Sequence, residues 1–258
     1  METSYLDKAF GLQGKVAIVT GASRGLGQGM ALGLANAGAD IVAVGTRREN
    51  LATTVEKIEA LGRKVLPLAC DQTKPVQIDK VIAETMSHFG QIDILVNNAG
   101  TIKRAPAHEF SDDDWNEVID TNLNGVFRFC REAGKVMLKQ RSGKIINIAS
   151  LLSFSGGITV PAYAASKGAV MQLTKALANE WAESNIQVNA IAPGYFETDN
   201  TVNLRKDEAR VKAISARIPC GRWGIPEDMQ GAAIFLASSS SNYVNGQVLL
   251  VDGGWMAR

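Results

Sequence analysis

From Lys15 almost to the carboxyl end, short apolar runs alternate with longer stretches in which apolar residues recur every three or four positions. The short runs are "KVAIVT" (15–20), "DIVAVG" (40–45), "KVLPLA" (64–69), "DILVNNAG" (93–100), "KIINIAS" (144–150), "IQVNAIAPG" (186–194) and "QVLLVDGG" (247–254). Each is β-branched and apolar at successive positions rather than at alternate ones. A strand has that pattern when helices cover both faces of a parallel sheet. Helical periodicity fills the gaps: "GQGMALGLANAG" after the first run, a charged stretch near 48–61, another near 75–89, longer ones before 144, and one near 162–184. Regular β–α alternation predicts an α/β fold, a doubly wound sheet of about seven parallel strands in a single domain over 1–258. One segment breaks the rhythm. "YFETDNTVNLRKDEARVKAISARIPCGR" (195–222) is polar and charged and follows a strand's carboxyl end, where such sheets bind ligands, so a substrate lid is expected there.

Composition narrows the function. Apolar residues make up 46% and charged ones 21%, enough to build a sizeable core. The net charge of +1 is too small to steer the chain to nucleic acid or an anionic membrane, and no apolar run has the length of a membrane span. Cys70, Cys130 and Cys220 are scattered, and with only His88 and His108 to join them they suggest neither a disulfide framework nor a metal site. The start, "METSYLDKAFGLQGK", has no apolar signal region, so a reducing, cytoplasmic setting is expected.

Two motifs carry chemistry. "TGASRGLG" (20–27) places Gly21, Gly25 and Gly27 between a strand and a helix, where glycine lets backbone approach a ligand and the helix start offers free N–H groups to a pyrophosphate. The spacing is G-x-x-x-G-x-G rather than the common dinucleotide G-x-G-x-x-G. "YAASK" sets Tyr163 and Lys167 one helical turn apart, on one face. A tyrosine titrates near ~10, too high for a base at neutral pH, and a nearby ammonium is expected to lower it. Interconverting an alcohol and a ketone needs such a proton-handling group beside a hydride-carrying cofactor.

The ordered set "TGASRGLG", "NNAG" (97–100), Ser150, Tyr163-x-x-x-Lys167 and "PG" (193–194) resembles the short-chain dehydrogenase/reductase family over nearly the whole chain. Within it, "NNAGTIKRAP", "APGYFETDN", "RIPCGRWG" and "VDGGWMAR" are most similar to the branch acting on 2-dehydro-3-deoxy-D-gluconate, 2-deoxy-D-gluconate and related deoxy-uronates. The resemblance implies a Rossmann-type nicotinamide enzyme. Asn122, Ser150, Tyr163 and Lys167 would be catalytic, with Asn122 positioning a water behind the lysine. Gly21, Ser23, Arg24, Gly25, Leu26 and Gly27 would line the pyrophosphate and ribose, and Asp71 would contact the adenine. Asn98, Ala99, Gly100, Tyr163 and Lys167 would flank the nicotinamide ribose, and Pro193, Gly194 and Thr198 would hold the carboxamide.

The second strand ends at Gly45 with no acid to repel a 2′-phosphate, and Thr46, Arg47 and Arg48 follow, so NADP(H) is favoured and NAD(H) remains possible. A sugar-acid substrate needs a cation for its carboxylate: Lys103, Arg104, Arg205, Arg217 and Arg222 are candidates, with Arg104 preferred. Ser153 and Phe154 are expected to line the pocket with Ser150 and Tyr163. Family members are commonly homotetramers, which is the expected assembly. The competing activities are gluconate 5-dehydrogenase and 3-oxoacyl carrier-protein reductase, and a different class is a non-catalytic NADP(H) sensor.

Overall fold

A computed structural model describes residues 4–258, apart from the side chains of Asn200 and Asn203. In chain order the main elements are α1 (Tyr5–Phe10), β1 (Val16–Thr20), α2 (Gly25–Asn36), β2 (Asp40–Gly45), α3 (Ala52–Ala60), β3 (Val65–Ala69), α4 (Pro75–Phe89) and β4 (Ile94–Asn97). They continue with α5 (Asp112–Ile119), α6 (Gly125–Gln140), β5 (Gly143–Ile148), α7 (Pro161–Trp181), β6 (Ile186–Pro193), α8 (Val202–Arg205), α9 (Glu208–Ser215), α10 (Gln230–Ala237) and β7 (Val248–Val251). The seven strands are all parallel and lie in the order β3-β2-β1-β4-β5-β6-β7, the Rossmann-type arrangement that the strand pattern and the family resemblance together imply.

The continuous apolar runs have a direct structural cause. Successive side chains of a strand point to opposite faces. On β1, Ala17 and Val19 pack with Met30 and Leu34 of α2 and Leu236 of α10, while Val16 and Ile18 pack on the other face with Ile78 of α4, Phe129 of α6 and Val170 of α7. Burying each such Val, Leu or Ile contributes roughly 1.5–3 kcal/mol, so both faces stabilise the sheet. Pro67 is tolerated because β3 pairs only with β2, and an edge strand does not need every N–H.

Boundaries shift where local chemistry overrides the pattern. The charged stretch near 48–61 begins as a 3₁₀ turn, Arg48–Leu51, before α3. The run 93–100 is a strand only through Asn97, because the next residues leave the sheet to bind Thr20. The long helix ends at Trp181 and continues as a 3₁₀ turn to Ser184.

The sheet order reverses between β1 and β4. That leaves a crevice at their carboxyl ends, the place where doubly wound sheets bind ligands. The 195–222 segment forms a 3₁₀ turn followed by α8 and α9. Its apolar side, Ile214 and Ile218, packs with Leu151, Trp223 and Trp255 as a small cluster separate from the two main cores. Among the described residues no helix is long and apolar enough to cross a membrane.

Candidate active site

A cavity of about 1110 Å³ runs along the carboxyl ends of the strands, from Asp71 at one end to Arg217 and Trp255 at the other. Its floor is the turn between β1 and α2. Gly21 and Gly25 have φ of 66° and 56°, values that L side chains rarely adopt. At Gly27 an added Cβ would run into the Gly21 carbonyl. Arg24, the residue before α2, makes no side-chain cap, so the first N–H groups of this twelve-residue helix are not capped by it. A cradle that cannot accept a Cβ, closed by an open helix start, fits a pyrophosphate, so these residues fit the dinucleotide implied by the fold.

The turn is stapled to the "NNAG" segment. Thr20 Oγ1 accepts from the backbone N–H groups of Asn98 and Ala99, both at 3.0 Å, and the Asn98 amide donates back to the Thr20 carbonyl at 3.0 Å. Gln72 donates to the carbonyls of Ala99 (3.2 Å) and Thr121 (2.6 Å). Neither Thr20 nor Gln72 stood out in the sequence. The available signal was a single hydroxyl ending an otherwise apolar strand. Asp71 lies on the cavity wall with its carboxylate accepting from Thr73 N–H (2.9 Å) and Oγ1 (2.7 Å).

Gly21, Ser23, Arg24, Gly25, Leu26, Gly27, Thr46, Asp71, Asn98, Ala99 and Gly100 all line this cavity, as do Pro193 at the end of β6 and Gly194 and Thr198 beyond it. The two arginines after Thr46 do not. Arg48 faces a separate recess with Pro67, Lys80 and Glu84, because the 3₁₀ turn points it back over β3. Arg47 is exposed beside the cavity rather than on its wall. Arg24 is on the wall and sits 3.4 Å from Asp199, an exposed ion pair joining the glycine turn to the 195–222 segment.

At the reacting end, Ser150, Tyr163 and Lys167 converge on the cavity. Ser150 Oγ accepts from the Leu152 N–H at 3.1 Å, which leaves its own proton free to point at a ligand. Lys167 is buried, 5% exposed, and its ammonium donates to the Ile148 carbonyl at 2.5 Å. The ammonium lies 5.7 Å from the centre of the Tyr163 ring.

The expected acidification of the phenol is not what this geometry yields. Burial pushes the Tyr163 hydroxyl above its ordinary range, opposed by the Ser150 hydroxyl and then by the charge of Arg104. Burial also pulls Lys167 down to about 8. Desolvation disfavours both charges, and the ammonium is committed to a carbonyl, so the resting pair is a neutral phenol beside a weakened cation.

Asn122 is fully buried in a π-helical turn, Asp120–Asn124, and is not on the cavity wall. Its side chain accepts from Thr101 N–H (2.8 Å) and donates to Thr101 O (2.9 Å) and Ser166 Oγ (3.2 Å). Ser166 in turn donates to the Tyr163 carbonyl at 2.8 Å. Asn122 therefore ties α7 to the strand-end loop. Extra residues of this kind inside helices are frequent at functional sites.

Two expected substrate contacts are displaced. Ser153 is turned inward, donating to the Lys167 carbonyl at 2.7 Å and accepting from Ser150 N–H at 3.3 Å, so it braces two active-site elements instead of lining the pocket. Phe154 is 43% exposed and off the cavity wall. Leu152, Ser155, Gly156 and Ile158 line it in their place.

The cations separate by partner. Lys103 is engaged by Glu117 (2.9 Å) and Asp114 (3.4 Å), Arg205 by Glu197 (3.3 Å) and Arg222 by Asp228 (2.6 Å). None of these three lines the cavity. Arg104 does, and so do Arg210, Arg217 and Arg258. Arg104, Arg210 and Arg217 have no ion-pair partner among the described residues.

The sequence profile of the short chain dehydrogenases matches residues 15–209. The 2-dehydro-3-deoxy-D-gluconate 5-dehydrogenase of Pseudoalteromonas atlantica is 57% identical over 250 residues, 96% of this chain and 98% of that protein. A crystal structure from Agrobacterium tumefaciens with bound NADP, 50% identical, superimposes with a TM-score of 0.91 over 97% of this chain and 99% of that one. The gluconate 5-dehydrogenase of Burkholderia cenocepacia, in complex with NADP and tartrate, is 42% identical with a TM-score of 0.95 over 98% and 100% of the two chains. With the glycine cradle, the Ser150–Tyr163–Lys167 cluster and these matches in agreement, the chain belongs to the short-chain dehydrogenase family.

Proposed function

We propose that this protein is an NADP(H)-preferring oxidoreductase acting on the carbonyl or secondary alcohol of a deoxy-keto sugar acid, in polyuronide breakdown. The reactions in view are reduction of a 4-deoxy-5-ketouronate and oxidation of 2-keto-3-deoxygluconate. The observation that carries this reading is the pairing of a proton-handling cluster with a cavity lined by Arg104, Arg210 and Arg217, none of which has an ion-pair partner among the described residues. An anionic substrate is favoured there. Relatives named for deoxy-gluconate chemistry, at 54–57% identity, support the same substrate class. The NADP(H) preference rests on Gly45 and Thr46, which place no acid at the end of β2, and on Arg24 and Arg47 beside them.

Bound nicotinamide supplies or accepts the hydride. The chain's own residues handle the oxygen. In reduction, as negative charge builds on the substrate oxygen, the Tyr163 hydroxyl gives it a proton and the Ser150 hydroxyl donates a hydrogen bond to it. Lys167 limits the cost of the phenolate that remains. A phenol held neutral at rest is the form that donates this proton. Asn122 and Ser153 hold the catalytic helix and the Ser150 turn in register. The 195–222 segment, which supplies Thr198, Leu204, Arg210 and Ile214 to the wall, serves as a lid of the single catalytic domain. The same reading makes the protein a cytoplasmic homotetramer, for which exposed Phe127, Leu138 and Leu250 provide apolar surface.

The test is an absorbance screen of deoxy-keto sugar acids, gluconate derivatives and 3-oxoacyl thioesters with both cofactors. The expected result is turnover of a deoxy-keto sugar acid, with kcat/KM at least about tenfold higher with NADPH than with NADH, the equivalent of about 1.4 kcal/mol. Thioester turnover in preference to sugar acids rejects the substrate class, and tight NADPH binding without any turnover identifies a sensor. Arg104→Ala is expected to raise the sugar-acid KM roughly 10- to 100-fold, the value of a lost charge-assisted hydrogen bond, with the KM for NADPH unchanged. An unchanged sugar-acid KM removes Arg104 from the site.

A further inference from the structure

The far end of the cavity is built by the last turn of the chain. Beyond β7, Gly253 and Gly254 have φ of 63° and 89°. The Asp252 carboxylate accepts from the N–H groups of Gly254 (2.8 Å) and Met256 (2.9 Å), fixing a tight turn that delivers Trp255. Trp255 is buried, and its ring packs 4.8 Å from that of Tyr195, which follows the β6 "PG". A Cβ on Gly254 would press on Pro219 at 3.0 Å, so this turn sits directly against the chain that follows Arg217.

Arg217 is the group this turn supports. Its guanidinium lies 4.0 Å from the centre of the Trp255 ring, over the face. An arginine held by an aromatic face keeps its N–H donors, whereas Arg205 and Arg222 have spent theirs on Glu197 and Asp228. Among the described residues the Arg217 side chain has no hydrogen-bond or ion-pair partner, and the residue lines the cavity. A planar cation with its rotamer restricted and its donors free is prepared for a carboxylate, because little ordering remains to be done when the ligand arrives.

We infer that Arg217, supported by Trp255, is a second carboxylate anchor, through which the enzyme distinguishes a sugar acid from a neutral carbonyl compound of the same length. A carboxylate has enough lone pairs to accept from Arg104 and Arg217 together. Arg217 is thus a specificity residue and Trp255 a positioning residue. The inference rests on the sugar-acid reading above and adds to it the element that enforces the charge.

The experiment compares kcat/KM for the best deoxy-keto sugar acid with that for its methyl ester, at saturating NADPH, in the full-length protein. In Arg217→Gln the acid is expected to lose roughly 30-fold or more, through KM, while the ester loses at most about threefold. Arg217→Lys keeps the charge without the planar stack and is expected to recover only part of the loss. Trp255→Leu is expected to act in the same direction by about tenfold, and Trp255→Phe, which keeps a π face, to restore most of it. Equal losses for acid and ester in the Arg217 variants, or a Trp255→Phe variant no better than Trp255→Leu, overturn the anchor. A wild-type enzyme that shows no preference for acid over ester instead removes the sugar-acid reading itself, so the two failures are distinct.

Discussion

Tyr163→Phe should lower kcat by about 10³- to 10⁴-fold while leaving NADPH binding within a few-fold of the parent. The hydroxyl is the proton source at the cavity wall, with Ser150 beside it and no second phenol among the lining residues except Tyr195, whose ring is packed between Trp223 and Trp255. Removing one oxygen from a half-buried ring costs little stability, so a loss of rate here reports chemistry rather than unfolding. Single-turnover rates with bound NADPH isolate the step. A variant retaining more than about a tenth of the parental rate would show that protonation is performed by another group.

Lys167→Met is expected to separate activity from stability. Turnover should fall by about 10²- to 10³-fold, because the phenolate left by proton transfer then lacks its cation. Stability should move the other way. Burial holds Lys167 at about 8 instead of 10.5, so at neutral pH the folded chain carries a charge it disfavours. A lysine with a depressed folded value destabilises fully below about pH 8, and the penalty is relieved as pH rises toward 10.5. The shift corresponds to about 3 kcal/mol at pH 7. Loss of the hydrogen bond to the Ile148 carbonyl offsets roughly 1–3 kcal/mol of that. A net gain of about 1 kcal/mol raises Tm by about 2–4 °C for a chain of this size. The same value sets the pH profile of the parent: reduction needs the neutral phenol and the ammonium together, so it should hold through neutrality and decline above about pH 8. Calorimetry at pH 7 and rate–pH profiles read both effects. A lowered Tm, or a reductive rate that keeps rising past pH 9, contradicts the assignment of Lys167 as a buried, strained cation.

Much of the site was legible because backbone geometry imposes it locally. Gly21, Gly25 and Gly27 follow from what a strand-to-helix turn against a pyrophosphate demands, and Tyr163 and Lys167 share a face by helical period alone. Ser153, Phe154 and Arg48 were misplaced for the opposite reason. Their neighbours in sequence line the cavity, but a 3₁₀ turn rotates each residue by about a third of a circle, and one position off the wall turns inward or away. Asn122 was identified by motif, yet its bonds to Thr101 and Ser166 could be seen only once two distant segments were packed together.

The alternation of doubly apolar runs with helical stretches by itself determined the parallel sheet and its two covering layers, since each helix both returns the chain for a parallel strand and covers one face of the sheet. Local glycine spacing and the helical period likewise determined the phosphate cradle and the Tyr–Lys pair, which depend on contacts within a few residues. Only the tertiary structure decided the ionisation of that pair, because desolvation depends on what encloses the two groups rather than on their spacing. The choice among the arginines was likewise tertiary. Whether a guanidinium meets a carboxylate, an aromatic face or the open cavity is set by segments far apart in the chain, as when Trp255 comes to lie beneath Arg217.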